Sequence, residues 1–277
     1  MQQPDPRRLS LNTATVRKQW SLDKIIDGCA RHEIRGISPW RDQVQALGLE
    51  RTAQMIRSNE LTVSGYCRGG MFPGMDEAAR RAADDDNRRA VDEALAVNAA
   101  CLVLVVGGLP GDSKDIAGAR SQVRDGLGRL LEYSRKVGMP LAIEPLHPMY
   151  AADRACINTL EQANDMCDEL GDDGLGMAVD LYHTWWDPKF FQQIERAGRK
   201  RILGFHICDW LVPTQHLLLD RGMMGDGVID IRAARQAVEA LGYQGAHEVE
   251  IFSEHNWWQR DPDSVLATCK ARHLTHC

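Results

Sequence analysis

Four apolar runs in the second half of the sequence end in side chains that hold charge or ligate metals. Leu175-Gly176-Met177-Ala178-Val179 runs into Asp180, Tyr182 and His183. Leu141-Ala142-Ile143 runs into Glu144 and His147, Ile202-Leu203-Gly204-Phe205 into His206 and Asp209, and the segment from Ala246 to Phe252 carries Glu248 and Glu250. A carboxylate at the mouth of an apolar core loses solvation, and a partner, a metal or a catalytic task usually compensates for that loss. For Asp180 alone, a strand end whose carboxylate caps the next turn accounts for the residue equally well. Three further runs that end in the same way favour a shared site.

Such residues can meet only if the chain brings several strand ends to one place. Leu9 to Thr15 alternates as a short strand, and Ser21 to His32 follows as an amphipathic helix with Ser21 as its N-cap. Gly36 to Trp40 reads as a strand, Asp42 to Asn59 as a helix, and Leu61 to Tyr66 as a strand that delivers Cys67-Arg68-Gly69-Gly70. Then come a helix over Asp76 to Asn98, a strand over Cys101 to Val106 and a helix over Ala117 to Val137. The four charged-end strands alternate with helices at Thr159 to Leu170 (Asn158 as cap), Pro188 to Ala197 (Gly198 just past its end), Ile231 to Leu241 and Pro262 to Leu274. Eight strand–helix alternations without a linker predict a single (β/α)8 TIM barrel over residues 1–277. A doubly wound open sheet is the alternative, but no glycine-rich phosphate fingerprint follows the first strand.

Composition sets the outer bounds. The chain has 277 residues, 44% of them hydrophobic and 26% charged, as in an ordinary globular protein. Its apolar runs are too short to span a bilayer, and the polar Met1 to Arg8 does not resemble a secretory signal. A net charge of −6 argues against a non-specific nucleic-acid binder. Eight scattered cysteines without a CxxC pair read as reduced core thiols, and the expectation is a cytoplasmic protein.

In a barrel the C-terminal strand ends share one face, and that face holds the active site. Glu144, Asp180, His206 and a strand-eight glutamate would then meet at one rim. One imidazole with three carboxylates suits a divalent ion with open positions for two substrate oxygens. Mn2+ is the first choice and Mg2+, Co2+ or Zn2+ the alternatives. Glu248 and Glu250 point the same way by strand alternation, so periodicity does not choose between them.

The segments LAIEPLHP, MAVDLYHTWWDP, GFHICDW, GDGVIDI and EVEIF resemble, in order, the sugar phosphate isomerase/epimerase family of xylose isomerase-like TIM barrels. The likeness spans Leu141 to Phe252. It implies one divalent metal held by Glu144, Asp180, His206 and Glu250, with the apolar pair Ile251-Phe252 favouring Glu250 over Glu248. It also implies proton transfer beside a metal-chelated carbonyl through an enediolate, with Glu144 and Glu250 as base and acid. His183 matches a family histidine that contacts substrate oxygens, and Arg221 resembles a substrate-binding arginine.

The remaining candidates are read from position. His147 would contact substrate or act as a separate base that turns epimerisation into β-elimination; a packed or solvated loop histidine is the equal alternative. Asp209 would orient His206 or cap a turn. Arg68 reads more simply as a surface arginine than as a contact for an anionic or hydroxyl group. Trp185, Trp186, Trp210, Trp257 and Trp258 would either wall a sugar site or pack beneath loops.

The expected function is therefore a metal-dependent isomerase or epimerase of carbohydrate metabolism, acting on a keto sugar, polyol or related hydroxy-carbonyl compound. The partners expected are a small carbohydrate-like substrate and no nucleic acid or membrane, with a homo-oligomer compatible. The alternative is a lyase or dehydratase on the same scaffold, of keto-inositol, dehydroshikimate or 3-keto-glycoside type. An endonuclease IV-like zinc enzyme would need metal ligands on the first four strands, which end near Asn12, Trp40, Arg68 and Gly107-Gly108. A barrel that binds without turnover is the last alternative.

Overall fold

The strands follow the apolar runs, because a strand buried on both faces needs an apolar side chain at nearly every position. In the computed structural model, which describes residues 3–277, they are β1 (Leu9–Asn12), β2 (Gly36–Ser38), β3 (Thr62–Val63), β4 (Tyr66–Gly70), β5 (Leu102–Val105), β6 (Leu141–Ile143), β7 (Leu175–Asp180) and β8 (Ile202–Ile207), followed by β9 (Asp209–Trp210), β10 (Arg221–Gly222) and β11 (His247–Val249). Nine of them form one parallel sheet in the order β3-β2-β1-β11-β8-β7-β6-β5-β4. Its two ends, β3 and β4, are successive pieces of one stretch of chain, and the parallel bridges Trp40–Cys67 and Val63–Ala99 close the joint. The result is an eight-staved barrel. β9 and β10 form a separate antiparallel pair above it.

Around the barrel run α1 (Leu22–Arg31), α2 (Arg41–Leu47), α3 (Leu49–Ser58), α4 (Glu77–Ala96), α5 (Ile116–Val137), α6 (Leu160–Leu170), α7 (Leu181–Thr184), α8 (Phe190–Arg201), α9 (Ile231–Ala240) and α10 (Pro262–His276). Carboxylate or hydroxyl caps start many of them, including Asp76 on Ala79 N–H at 2.7 Å and Asp115 on Gly118 N–H at 2.8 Å. No helix of the described residues is long and apolar enough to cross a membrane.

Three boundaries differ from the sequence reading. The helix expected over residues 42–59 is two helices, because Gly48 at φ 98° leaves the helical region between them. Cys67 to Gly70 continue the third stave as β4, so Arg68 sits on a strand rather than in a loop beyond it. Thr159, not Asn158, caps α6; Asn158 instead donates to the carbonyls of Leu146 and Ala155, fastening the loop after β6.

Strand alternation sorts the apolar residues into two environments. Leu102, Leu104, Leu141, Ile143, Met177 and Val179 face the helices in the large core. Cys101, Val103, Ala142 and Ala178 face inward, with Cys67, as a small separate cluster. Continuing the inward series one step up each strand gives Glu144 after Ala142 and Asp180 after Ala178. The same rule that makes Ala142 and Ala178 interior residues aims both carboxylates at the barrel axis. All eight cysteines are buried and unpaired.

Candidate active site

The strand ends do converge. Glu144, Asp180, His206 and Glu250 each offer a donor atom, and these atoms lie within 4.8 Å of one another, on four buried side chains. Among the described residues this is the single cluster of three or more such donors: Asp180 ends β7, His206 is on β8, and Glu144 and Glu250 are the residues just past β6 and β11.

Buried charges of this density need internal partners. Arg221, at the start of β10, supplies one. Its Nη1 donates to Asp180 Oδ2 at 3.0 Å and to Glu250 Oε2 at 2.9 Å, while its Nη2 lies 3.0 Å from His183 Nε2. The guanidinium is seated on the Tyr182 ring at 4.4 Å and beside the Phe252 ring at 5.1 Å. Asp180 divides its work between its two oxygens: Oδ1 accepts from Tyr182 N–H at 2.7 Å and caps α7, while Oδ2 faces Arg221.

His206 stands between two glutamates. Its Nδ1 is 2.9 Å from Glu144 Oε1, and its Nε2 is 3.6 Å from Glu248 Oε1. Burial opposes its protonation, but Glu248 and then Glu144 outweigh that penalty and hold the imidazole pKa well above its usual value. Glu248 and Glu250 both point inward, as alternation requires, and depth separates them. Glu250 is at the rim with the cluster. Glu248 is one layer deeper, where it accepts from Asn12 Nδ2 at 2.7 Å and Ser64 Oγ at 2.8 Å. Burial pushes the Glu250 pKa up to about 8 despite the opposing Arg221.

His183 is buried with both ring nitrogens engaged, Nδ1 accepting from the His147 N–H at 3.2 Å. Burial, with Arg221 working against the pull of Asp180, lowers its pKa to about 3, so the ring is neutral. His147 thus touches the site through its backbone. Its own ring stacks on Trp210 at 5.3 Å and is not among the residues lining the cavity. Asp209 accepts from the N–H groups of Trp210, Gly225 and Ile229, so it ties down a loop rather than His206.

A cavity of about 110 Å3 opens onto the cluster, lined by Glu144, His183, Arg221 and Glu250 together with Trp40, Arg68, Tyr150, Arg154 and Phe252 among others. The five tryptophans singled out from the sequence are absent from this lining. Trp257 and Trp258 donate to Asp226 and to the Ala14 carbonyl, and Trp186 to the His183 carbonyl. The aromatic wall is instead Trp40, Tyr150 and Phe252, with Trp40 held by its indole N–H on Asn12 Oδ1 at 2.8 Å. Trp40, Tyr150 and Arg154 escaped the sequence reading. Only Trp40 left a signal there, as an aromatic residue at the end of a strand.

The donor set suits a divalent cation. Four ligands at roughly 2.0–2.4 Å from one ion would show about the mutual spacing seen here. The guanidinium nitrogen shared by Asp180 and Glu250 shows that these oxygens already gather around positive charge.

Residues 26–269 match the family model described as xylose isomerase-like TIM barrel. An inosose isomerase of Bacillus velezensis is 23% identical over 277 aligned residues, covering 95% of this chain and 94% of its own. Another, from Halalkalibacterium halodurans, is 23% identical with the same coverage. Among solved structures, a protein of Sinorhizobium meliloti 1021 is similar at a TM-score of 0.96 and 55% identity over 99% of both chains. The IOLI protein, solved with a bound zinc atom, is similar in fold at a TM-score of 0.83 and 19% identity over 97% of both chains.

Proposed function

The chain belongs to the xylose isomerase-like TIM barrel family, and we propose that it is a divalent-metal-dependent isomerase or epimerase of a keto sugar, polyol or related hydroxy-carbonyl compound. The observation that carries this reading is the buried cluster of Glu144, Asp180, His206 and Glu250, whose two glutamates line a cavity at the strand ends. Relatives named inosose isomerase support the reaction class. Glu144, Asp180, His206 and Glu250 would hold the ion. Mn2+ suits the oxygen-rich set, and the zinc bound by the IOLI protein makes Zn2+ its main rival. A bound ion would polarise a carbonyl and its neighbouring hydroxyl and so acidify the C–H between them.

The side chains divide the remaining work. Glu144 and Glu250 follow strands separated by β7 and β8 in the barrel, so they address a substrate from different sides. One accepts the proton beside the carbonyl and the other returns it, on the same carbon or its neighbour. Neutral His183 and cationic Arg221 orient substrate oxygens. Trp40 and Phe252 cover an apolar face of the substrate and exclude water. The deeper position of Glu248 supports a role in fixing His206 rather than in ligation, as for carboxylates behind metal-bound histidines. Residues 1–277 would act as one barrel domain.

The test is solvent exchange. The metal-loaded protein, incubated in D2O with inososes and ketoses, is expected to place deuterium beside the carbonyl. Glu250→Gln is expected to lower that exchange by at least about 100-fold, the usual scale of general acid–base catalysis. A protein that binds metal yet exchanges no proton in any such substrate would refute the proposal. Loss of water would redirect it to the lyase alternative.

A further inference from the structure

Two arginines line the cavity, Arg68 without a carboxylate partner and Arg154 with a single solvent-exposed one. The side chain of Arg68, half-buried on β4, makes no hydrogen bond or ion pair with any described residue. Arg154 has one loose contact, Nε to Asp153 Oδ2 at 3.6 Å, between side chains that are 43% and 63% exposed. Its guanidinium lies 5.4 Å from the centre of the Tyr150 ring. The Tyr150 hydroxyl is buried and has no hydrogen-bond partner, although Tyr150 is one of the residues that line the same cavity. A buried polar group without a partner is uncommon in a native protein and asks what completes it.

These donors are not needed to balance the acidic cluster. Arg221 already bridges Asp180 and Glu250, and His206 already sits between Glu144 and Glu248. Glu144 acts on Arg68 only from beyond ion-pair distance. Burial, then the neighbouring Arg154, works against the charge on Arg68, so the two cations are held near each other at a cost. Two guanidinium groups and a tyrosine hydroxyl, all donors carried by residues that line one cavity, match the acceptor oxygens of an anion.

We propose that Arg68, Arg154 and the Tyr150 hydroxyl form a subsite for an anionic group, a carboxylate or a phosphate, carried by the substrate away from its reacting carbons. This rests on the isomerase/epimerase reading of the site. It narrows the substrate to an acidic sugar or a sugar phosphate, in contrast to the uncharged inososes for which the relatives are named.

The test uses three ketoses that differ at one end: D-fructose, D-fructuronate and D-fructose 6-phosphate. Their binding to the full-length, metal-loaded protein is measured by calorimetry. At least one acidic ketose is expected to bind 10-fold or more tighter than D-fructose, and which one it is separates carboxylate from phosphate. Arg68→Met and Arg154→Met should each weaken that ligand by about 10- to 100-fold, the scale of a hydrogen bond to a charged group, while leaving D-fructose unchanged. Arg68→Lys should recover part of the loss, and Tyr150→Phe should show a smaller one. Metal content, measured alongside, should stay at one ion in every variant. Equal binding of all three ketoses, or a preference for the acidic ones that survives in the double arginine variant, would overturn the subsite. A protein that holds no metal but still prefers the acidic ketoses would overturn the isomerase reading and leave the anion subsite standing.

Discussion

Arg221→Met is the substitution for which the structure sets the size of the effect most directly. The native guanidinium contacts Asp180 at 3.0 Å and Glu250 at 2.9 Å, with both carboxylates and the arginine buried. At an effective dielectric near 20, the contact with Asp180, and that with Glu250 once it ionises, each carry a gross attraction of about 5 kcal/mol. Desolvation of the three groups cancels most of this. Removing one member of a buried pair still costs about 3–5 kcal/mol, because the remaining charge keeps its desolvation and loses its partner. In a chain of this length that corresponds to a fall in Tm of roughly 6–20 °C without metal. Burial has already pushed Glu250 up to about 8, and loss of Arg221 would raise it further. A carboxylate whose folded pKa lies above its unfolded one loses stability as pH rises through that interval, so the deficit should be larger at about pH 9 than at about pH 6. A divalent cation restores positive charge between the same oxygens, so the metal-induced rise in Tm should be larger in Arg221→Met than in the parent. Thermal melts with and without Mn2+ or Zn2+ at the two pH values read every one of these terms. A variant melting within about 2 °C of the parent without metal, or gaining no more than the parent from metal, would refute the electrostatic account.

Glu248→Gln should lower divalent-metal affinity by about 10- to 100-fold, because His206 loses the charge behind its Nε2; calorimetric titration giving an unchanged Kd would remove Glu248 from that role. His273, 2.9 Å from His247 Nδ1, has its pKa lowered by burial, then by Arg235, from 6.5 to about 4. The unfolded chain therefore takes up this proton first, and acidification from 6.5 to about pH 5 should cost about 2 kcal/mol through His273. Urea unfolding at about pH 7 and about pH 5 should show a loss smaller by that amount in His273→Asn, and equal losses would disprove the linkage.

The alternation of apolar residues made the barrel legible, and the site followed from it. Glu144 and Asp180 extend the inward series of Ala142 and Ala178, so their aim was readable from a period of two. Periodicity carries no depth, however, and depth is what separates Glu248 from Glu250. The difference lies in Asn12 and Ser64, which come from the far end of the sequence to hold Glu248. Loop residues were least legible. Tyr150 and Arg154 reach the cavity because Asn158 fastens the loop after β6 to Leu146 and Ala155, a tether with no local pattern. The paired tryptophans suggested a sugar wall because their rings are large, yet their N–H groups mostly find partners in the surrounding loops. The smaller signal of Trp40 marked the wall itself.

Asp180 shows why a structural and a functional reading of one residue need not compete. Its Oδ1 caps α7 through Tyr182 N–H, and that bond fixes the carboxylate plane. With the plane fixed, Oδ2 can point only into the cluster, where it meets Arg221. Tyr182 is held in turn, its hydroxyl donating to the Leu217 carbonyl at 2.7 Å and its ring lying against the Arg221 guanidinium. The cap thus sets the acid, and the capped residue helps seat the cation that the acid binds. Asparagine at 180 would keep Oδ1 and the cap while replacing the charge on Oδ2, so Asp180→Asn separates the two roles. The short helix should persist, and Arg221 should keep its contact with Glu250 alone. Metal affinity would fall while the fold held.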